Sequence, residues 1–181
     1  MQEDIWVFGY GSLIWNPGFD VAEKQLATLS GFARRFCMRS IHYRGTAEKP
    51  GLVLALDPDA NQTCTGVGFR VAAENAPDTL AYLRERELIS YAYVEQWHEL
   101  QLHDGRTVTA VCYVMNHDSD QYCGVLSADA QVDVISTAHG SVGPNYEYLY
   151  NTVSHLHELG ISDPELEKLA NRVRDRLSKA D

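Results

Sequence analysis

Two glycines, a tyrosine and a serine follow the apolar run Ile5-Trp6-Val7-Phe8, in the order Gly9-Tyr10-Gly11-Ser12-Leu13. Glycine lets the backbone approach a ligand closely and takes conformations closed to other residues. Successive N–H groups in such a turn form a concavity for an anionic group, a carboxylate or a phosphate. The same residues also describe a tight turn that leaves a strand and binds nothing. A dinucleotide fingerprint is excluded, because Ile14 stands where G-x-G-x-x-G needs its third glycine. Pro17 and Gly18 then break the chain where that motif opens a helix. A P-loop is excluded because no Gly-Lys-Ser/Thr follows. The turn suits a small anionic ligand better than a nucleotide.

A second candidate lies at the end of a helix. Pro77 to Leu88 reads as helical, with Pro77 suited to the first turn. Ala76, Leu80 and Leu83 define its apolar stripe. At about 100° per residue, Glu87 falls within roughly 20–40° of all three, and Glu85 lies about 160° from Glu87. Glu85 therefore faces solvent and Glu87 faces in. A carboxylate on an apolar stripe is costly unless paired or protonated. Burial raises its pKa toward the range a general acid/base needs. Spacing alone leaves another reading open, a glutamate at a fraying helix end that reaches water or bonds Arg84.

The elements that must carry these residues are mostly strands. Ile5–Tyr10, a stretch around Gln25–Met38, Leu52–Asp57, Cys64–Val71, Tyr93–Leu102 and Thr107–Met115 read as extended, and Asp104-Gly105 signals a two-residue hairpin between the last two. Helices follow the strand groups: one after Ser127 ending near Gly140, one over Asn145 to Leu159 with Tyr146, Leu149, Val153 and Leu156 on its stripe, and one from Asp163-Pro164 carrying Leu166, Leu169, Ala170, Val173 and Leu177. Strands outnumber helices without alternating with them. That pattern predicts an α+β fold with a mainly antiparallel sheet or small barrel. With 181 residues and no linker or repeat, one domain over 1–181 is expected.

Composition narrows the partners. The net charge of −10 argues against nucleic acid and anionic membrane surfaces. No apolar run approaches the roughly 20 residues of a membrane span, and the N-terminus has no signal-peptide pattern. The cysteines at 37, 64, 112 and 123 show no C-x-x-C spacing and read as reduced thiols of a cytoplasmic protein. The seven histidines form no ligand set; His155 and His157, two apart on a helix, cannot face one metal together. No metal is expected.

Val7-Phe8-Gly9-Tyr10-Gly11-Ser12-Leu13-Ile14-Trp15 resembles the signature of the ChaC-type γ-glutamylcyclotransferases, the glutathione-specific branch. The similarity continues through Arg34-Arg35-Phe36, Arg44-Gly45, Lys49-Pro50-Gly51, Arg86-Glu87, and then Gly143, Asn145 and Glu147-Tyr148-Leu149, in order along nearly the whole chain. The resemblance implies a small mixed β-barrel with flanking helices. It implies an enzyme that converts glutathione into 5-oxoproline and Cys-Gly with no cofactor. The family's catalytic glutamate falls on Glu87 and its substrate-binding residues on Val7, Phe8, Gly9, Tyr10, Gly11, Ser12 and Leu13, with Tyr148 near the site. A small-molecule substrate is the partner so implied, and the oligomeric state is left open. One departure is Ser90-Tyr91-Ala92-Tyr93, where relatives commonly carry glycine; it bears on substrate choice. Two alternatives are the same cyclisation on other γ-glutamyl amino acids or amines, and a non-catalytic binding or regulatory protein on this scaffold.

Overall fold

The extended stretches fold into a closed barrel of mixed direction. In the computed structural model, which describes residues 3–88 and 90–180, the strands are β1 (Ile5–Gly9), β2 (Glu23–Ser40), β3 (Gly51–Val71), β4 (Tyr93–Leu102) and β5 (Thr107–Met115). Around the barrel they lie in the order β1-β3-β2-β4-β5. β1 runs antiparallel to β3, with Ile5 opposite Val71 and Gly9 opposite Val67, and parallel to β5, with Trp6 opposite Ala110. The expected α+β class with a small, mainly antiparallel barrel is the fold observed.

Two compact units make up the chain. Met1–Arg34 and Ala55–Asp120 form the first, Arg35–Leu54 and Gln121–Asp181 the second. The core of the first unit holds Phe8, Phe69, Leu100 and Tyr113, all fully buried or nearly so. Each such side chain contributes about 1.5–3 kcal/mol by leaving water. The helix α1 (Ala76–Glu87) adds Leu83, which is fully buried, and its Pro77 sits in the first turn as the sequence predicts.

Two strand expectations need correction. Leu52–Asp57 and Cys64–Val71 are parts of one strand, β3, because the extended backbone runs straight through Asp57-Pro58-Asp59. Pro58 is exposed there, and a proline at an unburied position of a strand need not leave a core hydrogen bond unmade. The β4–β5 connection is not a two-residue turn. The Leu102 N–H donates to the Arg106 carbonyl at 2.8 Å, which leaves residues 103–105 as a three-residue loop. Gly105 at φ +97 supplies the left-handed position such a loop requires.

The second unit is mainly helical: α2 (Ala128–Thr137), the short ribbon β6 (His139–Gly140) and β7 (Gly143–Pro144), α3 (Asn145–Glu158) and α4 (Pro164–Ser178). Ser127 caps α2 by accepting from the Ala130 N–H, and Asp163 caps α4 by accepting from the Leu166 N–H. α2 stops at Thr137, short of the expected Gly140, because Ala138 is already extended and the chain enters β6. The buried face of α3 is Asn145, Leu149, Thr152 and Leu156. Tyr146 and Val153, expected on that stripe, are only half-buried. Asn145 earns its buried place: Oδ1 accepts from the Leu52 N–H and Nδ2 donates to the Leu52 carbonyl, each at 2.8 Å. α4 buries Leu166, Leu169, Ala170 and Val173 as its pattern predicts, while Leu177, expected on the same stripe, is only half-buried. None of the cysteines forms a disulfide, and Cys37, Cys64 and Cys112 are buried. Among the described residues no helix is long and apolar enough to cross a membrane.

Candidate active site

The glycine-rich segment forms a tight turn at the end of β1. Ser12–Ile14 make one turn of 3-10 helix, closed by the Ile14 N–H on the Gly11 carbonyl at 2.9 Å, and the Asn16 N–H on the Ser12 carbonyl at 2.9 Å extends it. Gly9 has to be glycine, since a Cβ there would stand 2.9 Å from the Phe69 ring. The turn is braced from β2: Arg34 donates from Nε to the Tyr10 carbonyl at 2.7 Å, and its Nη2 reaches the Thr65 carbonyl. Nothing local to Arg34 signals this aim, because its two carbonyl partners lie 24 and 31 residues away in the chain.

Of the expected binding residues, Val7 and Phe8 are sealed in the barrel core with 0% exposure. Anything they contribute to a ligand goes through the backbone. Tyr10 and Leu13 are buried, and Ser12 is half-buried. Tyr148 belongs to the second unit, where its hydroxyl accepts from the Leu54 N–H at 3.2 Å and its ring meets Phe36 edge-on at 6.0 Å.

Glu87 ends α1 with its side chain 16% exposed, while Glu85 is exposed, as the helix spacing requires. Burial pushes the Glu87 carboxyl above its ordinary value, and the neighbouring Arg86 charge pulls it partly back. Arg86 Nε lies 3.4 Å from Glu87 Oε1. The alternative partner Arg84 is engaged elsewhere: it clasps Glu95 of β4 with two bonds of 2.8 Å. Those bonds hold Glu95 below the usual carboxylate range. Tyr113 of β5 is the cross-strand neighbour of Glu95, and its hydroxyl donates to Glu95 Oε2 at 3.2 Å. Burial first, then the Glu95 charge, raises the Tyr113 hydroxyl pKa, and the Glu87 charge adds to the rise. Two glutamates are thus driven in opposite directions, the pattern that separates an acid/base from a spectator carboxylate. Tyr113 and Glu95 went unnoticed in the sequence because alternating strand residues look alike whatever they face.

Arg86 ties the turn to the helix end. It donates to Ser12 Oγ at 3.2 Å and to the carbonyls of Asn16 and Pro17 at 2.7 and 3.3 Å. The first unit therefore brings together the Gly9–Leu13 turn, Arg34, Arg86 and Glu87. Among the described residues no group of three or more His, Cys, Asp or Glu is arranged to hold a metal ion.

The sequence and the fold of this chain define a class that known proteins share. A family model described as ChaC-like protein matches residues 5–176, and the chain belongs to that family. It is 37% identical to a glutathione-specific gamma-glutamylcyclotransferase of Escherichia coli (strain K12), over 97% of this chain and 75% of that protein. A glutathione-specific gamma-glutamylcyclotransferase of Schizosaccharomyces pombe is 31% identical over 98% of this chain and 96% of its own. Among solved structures, a yeast gamma-glutamyl cyclotransferase specific to glutathione superposes with a TM-score of 0.85 at 26% identity, covering 97% of this chain and all of that one.

Proposed function

We propose that this protein is a glutathione-specific γ-glutamylcyclotransferase with Glu87 as its general acid/base. The α-amine of the γ-glutamyl group attacks its own γ-carbonyl, closes a five-membered lactam and expels the Cys-Gly amine. Each turnover removes one proton from the attacking nitrogen and delivers one to the leaving nitrogen. A single carboxylate of raised pKa serves both steps in turn, as base and then as acid. The Gly9–Leu13 turn binds the γ-glutamyl end, its N–H groups meeting the α-carboxylate or the developing oxyanion. Holding a flexible chain in its ring-closing shape supplies much of the acceleration.

The observation that carries this reading is the Glu87 carboxylate, desolvated at the end of α1 and joined through Arg86 to the glycine-rich turn. The relatives named above support the choice of glutathione. The substrate is a small molecule, and the reading makes the enzyme cytoplasmic, consistent with the buried free thiols of Cys37, Cys64 and Cys112. The test is release of 5-oxoproline from glutathione, oxidised glutathione and a γ-glutamyl amino acid in parallel. Turnover confined to glutathione is expected. Equal turnover of the γ-glutamyl amino acid would assign the broader reaction, and tight glutathione binding without turnover would assign a binding protein.

A further inference from the structure

Ser12 and Glu87 lie far apart in sequence, and one guanidinium reaches both. Arg86 donates from Nη2 to Ser12 Oγ at 3.2 Å and holds Nε 3.4 Å from Glu87 Oε1. Its Nη1 bonds the Asn16 and Pro17 carbonyls and, one helical turn back, the Tyr82 hydroxyl at 3.2 Å. Tyr82 in turn closes over Gly18: a Cβ on that glycine, which sits at φ +77, would stand 2.1 Å from the Tyr82 hydroxyl oxygen. The segment from Ser12 to Gly18 is thereby fastened to one face of α1. The Arg86 side chain is only 21% exposed, and its bonds to Ser12 Oγ and the Pro17 carbonyl form in a partly buried setting where each is stronger than in water.

A guanidinium offers five donors and no acceptor. Ser12 Oγ is therefore an acceptor toward Arg86, and the serine's own hydrogen is left to be donated elsewhere. A serine nucleophile needs the reverse, a neighbouring base that takes its proton. We infer that Arg86 is a positioning residue that makes Ser12 a hydrogen-bond donor to a negatively charged substrate oxygen and holds that donor in register with the Glu87 carboxylate. The inference rests on the reading of Glu87 and the turn given above. The oxygen it serves carries full or partial negative charge, as the α-carboxylate and the γ-carbonyl of a γ-glutamyl group both do.

The surroundings of Glu87 make the role measurable. Arg86 is the cation that offsets its burial. Tyr113 of β5, whose titration the Glu87 charge helps to raise, keeps a neutral hydroxyl committed to Glu95 of β4, and Arg84 already balances Glu95. Removing the Arg86 charge moves the Glu87 titration upward and leaves the Arg84–Glu95 pair intact.

The experiment compares Ser12→Ala, Arg86→Gln, Arg86→Lys and the Ser12→Ala/Arg86→Gln double variant, with glutathione as substrate and 5-oxoproline release followed across pH. Each of Ser12→Ala and Arg86→Gln is expected to raise KM about tenfold, the loss of one charge-assisted contact. The double variant is expected to be little worse than Arg86→Gln, because one interaction has been removed twice. The acid limb of kcat/KM moves to higher pH in Arg86→Gln and returns toward its original position in Arg86→Lys, which keeps the charge. Multiplicative effects of the two substitutions, or an unmoved acid limb in Arg86→Gln, would overturn the inference. Should Arg86→Gln fail to fold, a cycle of Ser12→Ala with Arg86→Lys gives the same decision: non-additive KM effects uphold it and multiplicative effects overturn it. A Glu87→Gln variant separates the two layers. Its inactivity beside multiplicative cycle effects removes only the Arg86 role, whereas its full activity removes the assignment of Glu87 itself.

Discussion

Asn145 grips the backbone of Leu52 with both ends of its amide, accepting from the N–H and donating to the carbonyl at 2.8 Å each. Both residues are fully buried. Replacing Asn145 by alanine strands a donor and an acceptor away from water. The expected loss is roughly 2–4 kcal/mol of unfolding free energy. Urea denaturation of Asn145→Ala checks it, and a midpoint equal to that of the parent protein would show that water fills the gap.

Glu87→Gln keeps the shape of the side chain and removes its ability to exchange a proton. The expected fall in 5-oxoproline release is at least about 100-fold, the lower end of what general acid/base catalysis contributes. Glu85→Gln, two residues earlier and exposed, is expected to match the parent within experimental error. The pair of assays sets a buried acid against an exposed one on the same helix turn.

The raised Glu87 pKa also links stability to pH. Below its ordinary value of 4.5 the group is protonated whether the chain is folded or unfolded, and it contributes no pH dependence. As pH rises above 4.5 the unfolded chain releases the proton first, so the folded state loses ground until its own raised pKa is passed. The full penalty is present at higher pH. Glu87→Gln is therefore expected to melt at a higher temperature than the parent protein at pH 7, with the difference vanishing near pH 4. A constant difference across that window would mean the substitution acts by other means.

Tyr91 occupies the left-handed region at φ +56 with its ring 81% exposed. Its backbone is clipped in place: the Asn116 amide donates to the Tyr91 carbonyl at 3.1 Å. A non-glycine residue there costs about 1 kcal/mol, and the exposed ring returns little. Tyr91→Gly should be neutral or stabilising by up to about 1 kcal/mol once the extra freedom of glycine in the unfolded chain is counted. Thermal or urea unfolding measures this directly. A clear loss of stability would show that the ring packs more than its exposure suggests. The left-handed backbone at Tyr91 is a conformational cost that the residue's type alone does not display.

Some features were legible because a simple period carries them. β4 and β5 have the bounds their sequence implies, and the inward aim of Glu87 follows from 100° steps along α1. Others depend on partners distant in sequence. Asp57-Pro58-Asp59 has the composition of a turn, yet pairing with neighbouring strands keeps β3 extended through it. The buried face of α3 is led by Asn145, a polar residue that hydropathy assigns to the surface until Leu52 is found to satisfy it. In the sequence, nothing marks Arg86 beyond its place beside Glu87. Its reach to Ser12 and Asn16, some seventy residues away, exists only once the barrel has brought strand end and helix end together.

The parallel pairing of β1 with β5 sets a timetable for synthesis. Trp6 lies beside Ala110, so the first strand leaves the ribosome long before this neighbour exists. At roughly 5–20 residues per second, it waits on the order of 5–20 s for that partner. During this interval the apolar run Ile5-Trp6-Val7-Phe8 has no completed barrel to enter. A nascent chain arrested before residue 110 should therefore recruit chaperones and resist ligand rescue, and one arrested well past it should not.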